Sequence, residues 1–117
     1  MKISEIKTIL KADVLVGKQY LDRTVTGGGA ADLMDDILAA AAKGAALLTG
    51  LTTEHVLRTA RVAGVSAIVF VRGKRPPAQI IDMARTHAMP LLITDYSLFI
   101  ACGRLYIAGL RGLDGSW

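Results

Sequence analysis

Asp22-Arg23-Thr24-Val25-Thr26-Gly27-Gly28-Gly29 is the one run of this 117-residue chain whose composition no ordinary helix or strand explains. Three successive glycines carry a large entropic cost on ordering. They are kept where backbone turns sharply, passes close to another backbone, or approaches a ligand. The run follows a short apolar segment, Val14-Leu15-Val16, and precedes a segment with helical patterning, Leu33 to Ala41. It therefore reads as a strand-to-helix loop, and the rest of the chain repeats that unit.

Upstream of the run, Ile3, Ile6, Ile9 and Leu10 recur at helical spacing, which predicts a short first helix packed through its isoleucines. Downstream, Leu33, Met34, Ile37, Leu38 and Ala41 form one stripe, while Asp32, Asp35 and Asp36 crowd the helix start, where the dipole favours negative charge. Lys43-Gly44 supplies a last-turn cation and a C-cap. Ala45 to Thr49 is a second strand, and Thr52 or Thr53 caps a helix carrying Val56, Leu57, Ala60 and Ala63. Ala67-Ile68-Val69-Phe70-Val71 is apolar without alternation, as in a strand covered on both faces. After the turn Arg72-Gly73-Lys74-Arg75, Pro76 and Pro77 suit a helix start, Ile80, Ile81 and Ala84 its buried face, and Pro90 forces the chain out. Leu91-Leu92-Ile93-Thr94 is the fourth strand. Asp95 or Ser97 caps a last helix through Leu98, Phe99, Cys102 and Leu105, and the glycine-rich tail from Arg111 to Trp117 reads as loose.

Strand–helix alternation of this kind predicts an α/β fold: a three-layer α/β/α sandwich on a mostly parallel sheet of four to five strands. The length suits one domain over residues 1–117. Function in such sheets gathers beyond the carboxyl ends of the strands. The segments Gly17–Gly29, Thr49–Thr53, Arg72–Arg75 and Thr94–Ser97 are expected to converge there.

Composition narrows the function classes. Hydrophobic residues make up 52% and charged residues 21%, so the chain is globular, with apolar surface to spare for a partner. Net charge is +4 and the cations are scattered, which is no nucleic-acid signature. The tightest cluster, Arg72 to Arg75, reads as a solvated turn before an anion-contacting patch. The single cysteine, Cys102, excludes an internal disulfide and points to a reducing compartment. No signal peptide is legible at Met1 to Leu10, and no apolar run approaches ~18–20 residues, so a cytoplasmic protein without a membrane span is expected.

The chemistry-bearing residues are sparse. His55 and His87 are far apart and have no ligating neighbour in sequence, so no metal site is expected. Cys102, among Phe99, Ile100 and Ala101, reads as a buried inert thiol. Asp95-Tyr96-Ser97 reads as a helix start before an acid–nucleophile pair. No catalytic residue and no cofactor can be assigned. The glycine run matches neither Gly-x-Gly-x-x-Gly nor a phosphate-binding loop with Gly-Lys-Ser/Thr. It is either a structural turn or a ligand loop. In the second case Arg23 is the group for a phosphate or carboxylate, with Asp22, Thr24, Thr26 and the backbone of Gly27, Gly28 and Gly29 beside it. Leu98, Phe99, Ile100, Leu105, Tyr106 and Ile107 go nearly all round the last helix, which needs a second cover. A homodimer interface or deep burial within the monomer would supply it.

Tyr20-Leu21-Asp22-Arg23-Thr24 followed by Gly27-Gly28 resembles the DRTGG domain, with Val25-Thr26 inserted before the first glycine. The second half, Arg72 to Pro77, Ile80 to Ala84 and Pro90 to Thr94, is similar to the N-terminal domain of HPr kinase/phosphorylase. The resemblance covers about Val14 to Leu105. It implies a three-layer α/β module without established catalysis, attached to nucleotide-sensing CBS domains in some pyrophosphatases and to some phosphotransacetylases, with a regulatory or dimerising role. Carried to this chain, it implies a non-catalytic module that forms a homodimer and acts in trans on a partner enzyme. The alternative is a domain that senses a small anion or nucleotide at Asp22–Gly29, and behind it stands an enzyme acting on a phosphorylated metabolite.

Overall fold

The computed structural model describes residues 1–32 and 43–113. The helix expected from Leu33 to Ala41 and the end of the tail, 114–117, lie outside the described residues. The described elements run α1 (Ile3–Leu10), β1 (Asp13–Val16), a 3-10 turn (Lys18–Tyr20), β2 (Gly28–Ala30), β3 (Ala46–Thr49), α2 (Glu54–Ala63), β4 (Ala67–Phe70), α3 (Ala78–Thr86), β5 (Leu91–Ile93) and α4 (Leu98–Ile107).

The strands form one five-stranded sheet in the order β1-β5-β4-β3-β2. Neighbours from β2 to β5 are parallel, and β1 alone is antiparallel, against β5, with a register shift between Val14 and Val16. Apolar side chains on both sides of each central strand account for the missing alternation. Leu47, Ile68, Phe70 and Leu91 meet Val56, Leu57 and Ala60 of α2 and Ile80 and Ala84 of α3. Ala46, Leu48, Ala67, Val69 and Leu92 face the other way, onto Ile3, Ile6 and Leu10 of α1 and Ala101 and Leu105 of α4. The expected three-layer α/β/α architecture is therefore the observed one.

Helix limits follow capping chemistry. Thr53 accepts from the Val56 N–H and Ser97 from the Ile100 N–H, so the second member of each expected pair is the cap. Pro77 stands immediately before α3. Gly64, left-handed at φ 75°, ends α2.

Two expectations are overturned. The glycine run is no strand-to-helix loop: Gly28–Ala30 is an extended edge strand paired with Ala46–Leu48 of β3. None of Gly27, Gly28 and Gly29 has a positive φ. Their lack of side chains serves close approach. A Cβ on Gly28 would stand 2.9 Å from Leu110 Cδ2, and one on Gly27 would stand 2.8 Å from Leu113 Cδ2 and 3.1 Å from the Arg111 carbonyl oxygen. The chain after α4 thus pinches β2 from both faces. The tail expected to be loose from Arg111 is accordingly held as far as Leu113: the Gly28 N–H donates to the Arg111 carbonyl at 2.9 Å, and Gly112 bridges Gly28.

The second correction concerns convergence. Because β1 is antiparallel, its end at Gly17 lies at the amino edge of the sheet, where a Cβ would stand 3.0 Å from Pro90. Thr49–Thr53, Arg72–Arg75 and Thr94–Ser97 do share the opposite edge, but Gly17–Gly27 does not join them.

Candidate functional site

The carboxyl edge carries a cleft of about 290 Å³ lined by Asp32, Gly50, Val71, Arg72, Ser97 and Phe99. Each lining residue follows a parallel strand. Asp32, just beyond β2, turns Oδ1 inward to accept from the Thr49 hydroxyl and from the Gly50 N–H, both at 3.0 Å. Thr49 is fully buried, and its own oxygen accepts from the Leu51 N–H at 3.2 Å. One carboxylate oxygen thereby fixes the loop between β3 and α2.

On the other wall, Arg72 has a left-handed backbone at φ 58° and Gly73 repeats it at φ 64°. The Arg72 N–H donates to the Tyr96 carbonyl at 2.8 Å and the Gly73 N–H to the Thr94 carbonyl at 2.9 Å. Those two bonds lock the β4–α3 turn to the β5–α4 turn, and the guanidinium reaches back across the sheet edge. Its Nη2 lies 3.0 Å from where a Cβ on Gly50 would be, and the Asp32 carboxylate oxygens lie 3.8 and 3.9 Å from the same point. The third wall is the start of α4. Thr94, buried, binds the Leu10 carbonyl through its hydroxyl at 2.8 Å, which anchors this wall to α1.

The residues singled out in sequence sit elsewhere. Val25, buried, donates its N–H to the Met1 carbonyl, and Thr24 bridges Lys2 at the start of α1. Asp22 and Arg23 are exposed, and the Arg23 guanidinium stacks on the Tyr20 ring at 4.5 Å. The Thr26 hydroxyl donates to the Lys43 carbonyl and its N–H receives no ligand-facing role, donating instead to Gly44. Asp22, Arg23, Thr24 and Thr26 thus belong to the amino edge. Gly28 and Gly29 also line a mainly apolar hollow of about 230 Å³ with Cys102, Tyr106 and Leu110. Burial pushes the Cys102 thiol above its ordinary pKa, which suits the inert role expected of it.

Sequence reasoning did not select Asp32 and Arg72. Asp32 reads as one of several helix-start acids and Arg72 as part of a solvated turn. Their placement after strands was the available signal, since both fall at the edge where open α/β sheets gather function.

A second surface feature is the outer side of α4. Ala101 and Leu105 point into the core, but Phe99 is 85% and Ile107 88% exposed. With Ile9, Ile100 and Gly103 they line an apolar groove, and around Gly103 there is open space. Arg104 stacks on Tyr96 at 4.4 Å at its margin. Among the described residues, no group of His, Cys, Asp and Glu could hold a metal ion. No described helix is long and apolar enough to cross a membrane.

No curated protein matches the chain in sequence. Among solved structures, it is similar to the crystal structure of the CBS and DRTGG domains of the regulatory region of Clostridium perfringens pyrophosphatase complexed with activator, diadenosine tetraphosphate. The TM-score is 0.74 at 17% identity, over 94% of this chain and 47% of that one. At that identity the likeness is one of fold, and this chain spans about half the length of the structure it matches. The sequence itself matches the family model of the DRTGG domain over residues 5–106, so that this chain belongs to the DRTGG domain family.

Proposed function

We propose that this chain is a non-catalytic regulatory module that forms a homodimer in the cytoplasm and acts in trans on a partner enzyme. The observation that carries the reading is the outer face of α4. Sequence leaves two covers for an all-round apolar helix, and burial within the monomer does not supply one for Phe99, Ile107 and the half-exposed Ile100 and Tyr106. A contiguous exposed apolar face of this kind marks a surface that another protein surface covers. A second copy of the same face is the simplest partner. The regulatory role is supported by membership of the family and by the regulatory region of the pyrophosphatase that shares the fold. The likeness of the second half to the N-terminal domain of HPr kinase/phosphorylase fits the same role.

Light scattering across a range of protein concentrations tests the dimer. Phe99→Asp and Ile107→Glu are expected to yield monomers with unchanged circular dichroism. A wild-type monomer mass at every concentration would falsify the reading.

A second reading is that the module senses a small anionic effector through Asp22, Arg23, Thr24, Thr26 and Gly27–Gly29. What favours it is the exposed Arg23 guanidinium together with the hollow against Gly28 and Gly29. Thermal shift with nucleotides and phosphorylated metabolites is the test. A ligand of the native state raises the melting temperature, and a hundredfold excess over Kd is worth ~2.7 kcal/mol. The shift is expected to vanish in Arg23→Ala.

A further inference from the structure

We infer that the cleft at the carboxyl edge is a separate binding site for a small phosphorylated polyol, a sugar phosphate or the ribose phosphate of a nucleotide, held between Arg72 and Asp32. It goes beyond the effector reading at Asp22–Gly29, because the side chains of that reading, Asp22 to Thr26, lie at the opposite edge of the sheet from Arg72 and Asp32.

Opposite charges face one small space. The position that a Gly50 Cβ would take has a guanidinium nitrogen at 3.0 Å and the Asp32 carboxylate oxygens at 3.8 and 3.9 Å. Yet Arg72 and Asp32 form no ion pair, and Arg72 has none with any described residue. A side chain at position 50 would occupy the space and displace the guanidinium, so glycine keeps it open. Asp32 Oδ1 is already engaged by Thr49 and Gly50, and no described hydrogen bond reaches Oδ2.

Arg72 is an exposed side chain on a fixed stretch of backbone: its own N–H donates to the Tyr96 carbonyl and the Gly73 N–H to the Thr94 carbonyl, which roots the side chain beside the cleft. A planar cation of this sort recognises phosphate by paired hydrogen bonds. The cleft's third wall adds to the same preference. Ser97 caps the Ile100 N–H, while the Leu98 and Phe99 N–H groups have no partner among the described residues. An anion next to Arg72 is favoured at that helix start. The adjacent Asp32 oxygen selects a ligand with a hydroxyl beside its anionic group, and disfavours a bare anion.

Isothermal titration of the full chain with ribose 5-phosphate, AMP, adenosine and inorganic phosphate tests the site. Ribose 5-phosphate and AMP are expected to bind, with adenosine and phosphate at least about tenfold weaker, as loss of one charged hydrogen-bond set implies. Arg72→Asn, which tolerates the left-handed backbone, is expected to weaken both ligands at least about tenfold. Asp32→Asn, which keeps Oδ1 as an acceptor, is expected to weaken ribose 5-phosphate and to leave or improve inorganic phosphate. Arg61→Ala, at an exposed position of α2 outside both sites, is expected to change nothing. Tighter AMP than ribose 5-phosphate identifies the nucleotide as the source of the phosphate, and equal affinity the free sugar phosphate. Unchanged binding in Arg72→Asn overturns the inference, and loss in Arg23→Ala alone moves the ligand to the other edge and sustains the effector reading. No binding by any of the four probes overturns this site without touching the dimer.

Discussion

Gly29 lies in β2 and Gly27 immediately before it, and the two answer to different constraints. A Cβ on Gly27 meets the Arg111 backbone oxygen at 3.1 Å as well as Leu113, and backbone cannot step aside. Gly27→Ala is therefore expected to destabilise the fold by about 1–3 kcal/mol, in the range of overpacking. A Cβ on Gly29 makes only an ordinary contact with Leu113 at 3.5 Å. Gly29→Ala is expected to be neutral or to stabilise by about 0.4–1 kcal/mol, because alanine restricts the unfolded chain. Urea denaturation of the two variants reads the difference in sign. At the same scale, the half-buried Cys102 has its thiol pKa raised by burial. The folded state therefore holds its proton longer than the unfolded state does. The sign follows: this group's contribution is intact below the ordinary thiol pKa and is lost as pH climbs above it. Alkylation of the native chain at neutral pH is expected to be slower than that of the urea-unfolded chain.

Between elements, the strand exits are joined by side chains whose loss can be isolated. Asp32 ties the exit of β2 to that of β3 through the buried Thr49 hydroxyl and the Gly50 N–H. Asp32→Ala leaves both donors without an acceptor and is expected to cost about 1–3 kcal/mol, whereas Asp32→Asn retains most of that stability. Ser97 caps α4, and Ser97→Ala is expected to cost about 1 kcal/mol, recovered in Ser97→Asp. Both series are read by thermal or chemical unfolding. The helices were legible for the reasons these caps illustrate: periodic apolar residues flanked by Thr53, Ser97, Pro77 and Gly64 announce themselves locally. β2 was not, because strand signals reside in side chains and Gly28-Gly29 has none. The direction of β1 was hidden for a related reason. Val14-Leu15-Val16 has the apolar content of a covered strand, and nothing local distinguishes parallel from antiparallel pairing.

For the molecule as a whole, the two hydrophobic layers leave the outer face of α4 outside both. If that face seals a dimer, association is driven by apolar burial, so it should persist or strengthen from about 0.1 to 1 M salt, where surface ion pairs are screened. Sedimentation at the two concentrations checks this. A dimer that dissociates at the higher salt would point to the scattered arginines as the contact instead.

Local pattern was enough to determine the class of fold, the places of the described helices to within a residue or two at their starts, the doubly covered central strands and the family to which the Asp-Arg-Thr and glycine elements belong. These depend on neighbours within a few residues of one another. Only the folded chain decided that the glycines accommodate the segment after α4, that Asp22 to Thr26 sit at the amino edge, and that Asp32 and Arg72 face each other over Gly50. Such relations join residues far apart in sequence, and they arise from strand order and direction, which no single stretch encodes.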